Sequence, residues 1–161
     1  SSNLATLDFK SYMETLVPQI DKVYKRPDQE VKTFINAQSV PVSLDMAVPL
    51  GLAFVELLAN AYKHGLKDVQ NGILSINLSR EKEGDKEFGV LEIEDNGPGL
   101  GVGFQDSPSL GLKLVERLAQ QLNGDVQWPV ARSSHVKLRF ALCDKAKAAA
   151  DEFPTQVHAV K

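Results

Sequence analysis

The chain has 161 residues, 43% of them apolar and 24% charged, with a formal net charge of −3. That length suits one domain able to bury roughly 70% of its unfolded surface, and the composition is that of an ordinary globular protein. The sequence holds no dense basic cluster of the kind a duplex-binding face needs, which argues against general nucleic-acid binding. No uninterrupted apolar run reaches the length of a membrane span, about 18 residues.

In chain order, Asp8 to about Tyr24 reads as an amphipathic helix with Phe9, Tyr12, Met13, Leu16 and Ile20 on one face, interrupted by Pro18. Glu30 to Asn36 alternates through Val31, Thr33 and Ile35 as a strand does. Asp45 is a good N-cap for a long helix through His64, with Gly65 at the C-cap position. Ile73 to Arg80 and Phe88 to Glu94 alternate at period two, and Glu83-Gly84-Asp85-Lys86 between them reads as a hairpin turn. Pro98 to Pro108 is a Gly- and Pro-containing loop. Ser109 then caps a helix to about Asn123 whose Leu110, Leu114, Leu118 and Leu122 recur every fourth residue, with Gly124 as its stop. Asp125 to Trp128 and Val136 to Leu142 are the closing strands, and the Ala- and Lys-rich stretch after Asp144 reads as linker or frayed end.

The ends and the cysteine add two expectations. Ser1-Ser2-Asn3-Leu4 has neither the basic nor the apolar region of a secretion signal, and without an initiator Met it reads as part of a longer chain. The single cysteine, Cys143, cannot form an internal disulfide, which agrees with a reducing compartment.

The helix around Asn60 carries its polarity in an unusual way. Leu50, Phe54, Leu57, Leu58 and Ala61 form one apolar stripe, while Leu52, Val55 and Ala59 cover the opposite side. Glu56, Asn60, Lys63 and His64 fall on a single narrow stripe, because residues three and four apart are neighbours on a helix. A helix apolar nearly all round is normally buried, and a buried carboxylate or amide left unsatisfied costs about 1–3 kcal/mol. The stripe is therefore expected to line a polar cavity. Magnesium takes oxygen ligands, keeping waters beside one or two protein groups and phosphates; an Asn60 carbonyl one turn from Glu56 suits that. Solvated Glu56 and Lys63, with Asn60 as a cap, is the plain alternative.

In Leu91-Glu92-Ile93-Glu94-Asp95, parity puts Asp95 on the same face as Leu91 and Ile93. A carboxylate on an apolar face is costly unless hydrogen-bonded, and an exocyclic amine is a suitable donor, in a bond worth ~1.5–3 kcal/mol. Gly97 and Gly99 let the backbone turn and approach a ligand without a Cβ clash. An ordinary Asp-Asn-Gly turn is the alternative. Gly111, in the first turn of the later helix, costs ~1 kcal/mol relative to alanine. Close approach of a phosphate to the helix N-terminus or of packed backbone would explain it.

The order and spacing of three segments, Glu56 to Gly65, Asp95-Asn96-Gly97-Pro98-Gly99 and Leu110-Gly111-Leu112-Lys113-Leu114-Val115, resemble the asparagine box and two glycine boxes of the ATP-binding module. Gyrase, heat-shock chaperones, histidine kinases and mismatch-repair ATPases share that module. The resemblance covers roughly residues 5 to 142. Lys63-His64 after the asparagine, the short lid and the Ser109-Leu110-Gly111-Leu112 helix start look most like bacterial sensor histidine kinases, in the subgroup with a compact lid and no separate phenylalanine box. Asn3 to Phe9 looks like the segment after that subgroup's dimerisation helices. Ser134 stands where the family commonly has threonine near the adenine, and Ala141 where proline is frequent.

The resemblance implies an α+β fold: a two-layer sandwich with a mixed, mostly antiparallel sheet, helices on one face, and nucleotide held between helices and a lid at residues 100–109. It implies ATP and Mg2+ as cofactors, with Asn60 ligating the metal and Glu56 orienting groups near the γ-phosphate. Lys63, His64, Leu110, Gly111 and Leu112 fall near the phosphates, and Asp95, Gly97, Gly99 and Ser134 around the adenine. Residues 1–7 would be a linker from a missing dimerisation and phosphoacceptor domain, 8–143 the catalytic domain and 144–161 a tail. His64, His135 and His158 are the only histidines, and none lies on a dimerisation helix. The implied activity is transfer of the ATP γ-phosphoryl to a histidine outside this chain. Its partners would be that domain and a response regulator, with no membrane contact, in a cytoplasmic piece monomeric alone and homodimeric at full length. An anti-sigma-type serine kinase, a regulatory domain without turnover and a gyrase-like ATPase remain the alternatives.

Overall fold

The computed structural model describes residues 5–99, 109–130 and 132–142. The expected lid at residues 100–108, Cys143, His158 and the tail lie outside them. In order, the elements are β1 (Thr6–Asp8), α1 (Phe9–Tyr24), β2 (Glu30–Ala37), β3 (Pro41–Ser43), α2 (Leu44–Asn60), a π-helical turn (Ala61–Gly65), β4 (Asn71–Glu83), β5 (Lys86–Asp95), α3 (Leu110–Gln121), β6 (Asp125–Gln127) and β7 (Val136–Ala141).

Five strands form one mixed sheet in the order β2-β4-β5-β7-β6, and β1 pairs with β3 in a separate two-stranded ribbon. Only the β2–β4 contact is parallel; β4–β5, β5–β7 and β6–β7 are antiparallel. Leu74, Ile76 and Leu78 of β4 stand beside Ile93 and Leu91 of β5 and Leu138 and Phe140 of β7, and together they bury one sheet face. The helices cover that face with Phe9, Met13, Leu50, Phe54, Leu58 and Val115. On the opposite face Arg139 lies 4.2 Å from the Phe88 ring centroid and pairs with Glu83 at 2.8 Å. This is the expected α+β two-layer sandwich.

The hairpin falls where its turn residues put it. Glu83 pairs with Lys86, leaving Gly84 and Asp85 as the turn, and Gly84 has φ +64, as two-residue hairpin turns require. The ribbon strands β1 and β3 were not expected, because three residues are too few to display a period. Thr6 and Leu7, read above as linker, pair with Ser43 and Val42. Asp8 anchors this corner, capping α1 through the Lys10 amide at 3.1 Å and accepting from the Val40 amide at 3.0 Å.

Four local expectations are corrected. Pro18 does not interrupt α1: its ring is exposed, and burial of Val17 and Ile20 on the other side carries the helix through the missing hydrogen bond. Ser43, not Asp45, is the N-cap of α2, accepting from the Met46 amide at 3.3 Å. Leu44, Val48 and Leu52 form an exposed stripe on α2, so this helix is not apolar-buried all round. Even so, Leu44–Gly65 is long and apolar enough by composition to cross a membrane; more than half of that window is buried here as the central helix of the fold.

The fourth correction concerns α3. The every-fourth-residue stripe is buried only in its second half: Leu110 is 85% and Leu114 40% exposed, whereas Leu118 and Leu122 are buried. Leu112, Val115 and Ala119 complete the buried face, at spacings of three and four, as a period of 3.6 residues demands. Asn123, with φ +54, takes the left-handed position after the helix. Gly124 follows because a Cβ there would come within 1.7 Å of the Arg139 carbonyl oxygen.

Two substitutions separate the faces of α3. Leu118→Ala is expected to lower the unfolding free energy by about 2–5 kcal/mol, and Leu110→Ser to change it by less than about 0.5 kcal/mol. Urea denaturation measures both, and equal losses would contradict this placement.

Candidate functional site

A cavity opens between the C-terminal end of α2, the end of β5 and the β6–β7 connection. Leu57, Ala61, Ile93, Trp128, Pro129 and Val136 supply apolar lining, and Asn60, His64, Gly65, Asp95, Gly99 and Ser134 the remainder. Six of the residues expected from sequence are not among its lining: Glu56, Lys63, Gly97, Leu110, Gly111 and Leu112.

Asp95 sits opposite Leu74 at the end of β5, on the buried face, as parity requires. Its Oδ1 accepts from the Gly97 amide at 2.8 Å. Its own amide donates to the Ser134 hydroxyl oxygen at 3.2 Å, and that hydroxyl bonds back to the Asp95 carbonyl, tying β5 to the start of β7. Burial pushes the Asp95 carboxyl above its ordinary range, against the opposing pull of Gly97 and Ser134 and with a smaller push from Glu94.

Two glycines make room for this carboxylate, and a third lets its loop close on Arg132. Gly65, read from sequence as a C-cap, does not take the positive φ of that role. A Cβ there would lie 2.1 Å from the Asp95 carboxylate. At Gly97 a Cβ would come within 1.9 Å of the Gly65 carbonyl oxygen, so the asparagine box and first glycine box touch backbone to backbone. Gly99, with φ +84, both turns the chain and abuts the Arg132 carbonyl carbon, at 2.6 Å from its would-be Cβ. Gly97 thus has a packing reason of its own, the close approach of the Gly65 backbone.

The π-helical turn decides which polar residues face the cavity. In a regular helix Lys63 would lie about 60° from Asn60 around the axis, and His64 about 40° away on the other side. Bonding from i to i+5 widens the turn, seen in the Leu66 amide reaching the Ala61 carbonyl at 2.8 Å. Lys63 then falls further behind Asn60, while His64 stays beside it. The Lys63 ammonium lies 5.0 Å from the Tyr24 ring centroid. Tyr24 stacks on Tyr62, whose hydroxyl donates to Asp21 at 2.7 Å. The expected single stripe is broken because a π-turn has no signature in the apolar period.

Glu56 faces α3. A Cβ on Gly111 would lie 2.6 Å from Glu56 Oε2, so this glycine admits a carboxylate to the first turn of α3, where the helix dipole favours negative charge. The group found close to Gly111 is thus the Glu56 side chain, not packed backbone. Ser109 caps α3, accepting from the Leu112 amide at 3.3 Å. Leu112 is buried and the Leu110 side chain exposed, so any ligand contact at this turn would come from backbone amides. His135 turns to Glu92 at 2.7 Å.

Sequence reasoning missed Trp128, read only as the end of a strand. It lines the cavity, and its indole Nε1 donates to Glu116 Oε1 of α3 at 2.7 Å. The available signal was the chain's single tryptophan followed at once by Pro129, where a strand must stop.

The raised Asp95 carboxyl makes stability depend on pH in a definite sense. The folded chain holds this proton to higher pH than the unfolded chain. The resulting stabilisation is complete below the unfolded carboxyl range and is lost as pH rises through the folded value. Asp95→Asn keeps an oxygen for the Gly97 amide and has no charge to bury. Its stability relative to the parent is therefore expected to increase from about pH 4 to pH 7, measured by urea denaturation without nucleotide. A difference that stays flat with pH would count against burial as the cause.

The fold has solved relatives. The histidine kinase domain of the blue-light activated histidine kinase from Erythrobacter litoralis EL346 superposes with a TM-score of 0.73 at 22% identity, over 84% of this chain and 62% of that one. The chain thus spans less than two thirds of that structure. The histidine kinase AdeS of Acinetobacter baumannii gives 0.65 at 22% identity over 86% and 66% of the two chains. The ATP-binding domain of PrrB from Mycobacterium tuberculosis gives 0.61 at 24% over 86% and 97%. At such identities the likeness is one of fold. No curated protein sequence matches the chain significantly. Residues 46–144, more than half the chain and all of the cavity lining, match the profile of the histidine kinase-, DNA gyrase B- and HSP90-like ATPases. The chain belongs to that ATPase family.

Proposed function

We propose that this chain is the ATP-binding catalytic domain of a two-component sensor histidine kinase, which passes the ATP γ-phosphoryl to a histidine on a separate dimerisation domain. The observation that carries the reading is the Asp95 carboxylate, half-buried in a cavity of mixed apolar and polar lining, in space that Gly65 leaves open. Such a group suits the exocyclic amine of adenine, because a buried acceptor strongly favours a ligand that brings a donor.

In this reading Asp95 and Ser134 hold the base, with Gly97 and Gly99 shaping the loop around it. Asn60 and His64 extend from the same cavity toward the ribose and phosphates, with Lys63 able to swing to them from Tyr24. The amides of Leu110 and Gly111, at the start of α3, lack intrahelical partners by position and suit a phosphate, as helix N-termini do. Among the described residues no cluster of three or more His, Cys, Asp or Glu could hold a metal by itself. That suits Mg2+, which takes few protein ligands when phosphates and waters supply the rest. Asn60 is the residue that would hold it through its side-chain oxygen; when bound, the ion would neutralise phosphate charge. Glu56, beside Gly111, would orient groups at the phosphate end. Catalysis would then rest on positioning and electrostatics, in a cytoplasmic module whose partners are the phosphoacceptor domain and a response regulator.

Calorimetric titration with ATP and ADP, with and without Mg2+, tests this. The parent chain is expected to bind both, Asp95→Asn to bind roughly 10- to 150-fold more weakly, and Asn60→Ala to lose the magnesium dependence. Phosphoryl transfer is tested by adding a histidine-bearing dimerisation domain and following radiolabelled γ-phosphate. A folded parent chain that binds neither nucleotide would overturn the proposal.

A further inference from the structure

The indole of Trp128 and its tether to α3 are used by nothing in the reading above. Among the described residues that line the cavity holding Asp95, which include the smaller imidazole of His64, Trp128 has the largest flat aromatic face. Its ring is half-buried against the hydrophobic core. Its Nε1–H is committed to Glu116 Oε1 at 2.7 Å. A charged acceptor makes that bond short and directional, so it restrains the ring about its own torsions. The adjoining Pro129 fixes one backbone torsion just after the tryptophan.

A flat, weakly polar surface in the same cavity as a half-buried carboxylate has a definite chemical preference. The carboxylate selects a donor on the edge of a ligand; the indole favours a ligand with an extended π-face. A planar nitrogenous base carries both on one rigid ring system, whereas a sugar has edge donors but no π-face. Tryptophan also carries the largest apolar surface of the aromatic residues, and stacking on a base is worth ~1–3 kcal/mol. We propose that Trp128 is a base-contacting residue of the nucleotide site and that Glu116 is its positioning residue, so that α3 orients the wall against which the base lies. This inference rests on the nucleotide-binding reading and extends it to two residues that sequence motifs do not mark. It also gives α3 two duties, since Glu116 lies on the helix whose first turn faces the phosphate end.

The chain's one tryptophan makes the test direct. Adenosine, ADP and inorganic triphosphate are titrated while the intrinsic fluorescence is followed, with calorimetry in parallel and circular dichroism as the check on folding. Adenosine and ADP are expected to change the emission saturably, and triphosphate to leave it unaltered. Trp128→Leu should weaken adenosine binding roughly 5- to 150-fold without altering triphosphate binding. Trp128→Phe, which keeps a ring of smaller area, should fall between Trp128→Leu and the parent.

Glu116→Ala should release the indole, lowering its fluorescence anisotropy and weakening adenosine binding. Glu116→Gln, which retains an oxygen acceptor, should restore both. A folded Trp128→Phe or Trp128→Leu chain with parental affinity for adenosine would sink the inference while leaving the nucleotide reading intact. Equal losses for adenosine and triphosphate would mark Trp128 as a purely structural residue and would overturn it too. If the parent binds neither adenosine nor ADP, both readings fall together.

Discussion

The site depends on one unfavourable placement, a carboxylate on the apolar face of a sheet. Burial raises the Asp95 carboxyl, and only one amide and one hydroxyl, from Gly97 and Ser134, offset the loss of water. The surrounding backbone is shaped to permit it. Gly65 leaves the volume the carboxylate occupies, Gly97 lets its own loop rest on the Gly65 carbonyl, and Gly99 lets that loop meet the strand connection at Arg132. Any side chain at the first two positions would drive either Asp95 or the backbone away. Gly65 and Gly97, distant in sequence, therefore serve one contact, and Gly99 serves the loop beside it.

A half-buried carboxylate facing a cavity costs a free domain solvation that a donor on a ligand can restore. The fold tolerates it because the core beneath is continuous, from Phe9 and Met13 of α1 through Phe54 and Leu58 of α2 to Leu91, Leu138 and Phe140 of the sheet. The polar end of the cavity is organised by a second local departure, the π-helical turn after Asn60. It leaves Asn60 and His64 at the cavity and hands Lys63 to the Tyr24 ring. Such turns often mark functional sites, and here the consequence is a cation held next to the cavity instead of within it.

Much of the fold was legible because its elements are long and their chemistry local. Asp8 and Ser109 are capping residues whose bonds reach two or three positions along the chain. β4 and β5 alternate cleanly enough to place Asp95 on the correct face before any contact is known. Where short or long-range causes prevail, the reading from sequence diverged. The β1–β3 ribbon has no period to display, and α2 starts one residue after Ser43 instead of at Asp45. On α3 the repeat of leucines every fourth residue misled, since that spacing drifts around a helix and brings Leu110 and Leu114 into solvent.

What the sequence determined by itself was the set of groups available and their order: an asparagine helix, an aspartate on a buried strand face, and a capped glycine-bearing helix. These follow from periodicity, parity and capping, which act over a few residues. Tertiary structure decided how those groups share space. It directed Glu56 to Gly111 and away from the cavity lining, turned Lys63 onto Tyr24, and brought Trp128 into the cavity with Glu116 behind it. It also gave Gly65 and Gly97 their reasons, which are each other and Asp95. The physical cause is that a steric exclusion or a ring's orientation depends on atoms many residues away, and no local pattern encodes that neighbour.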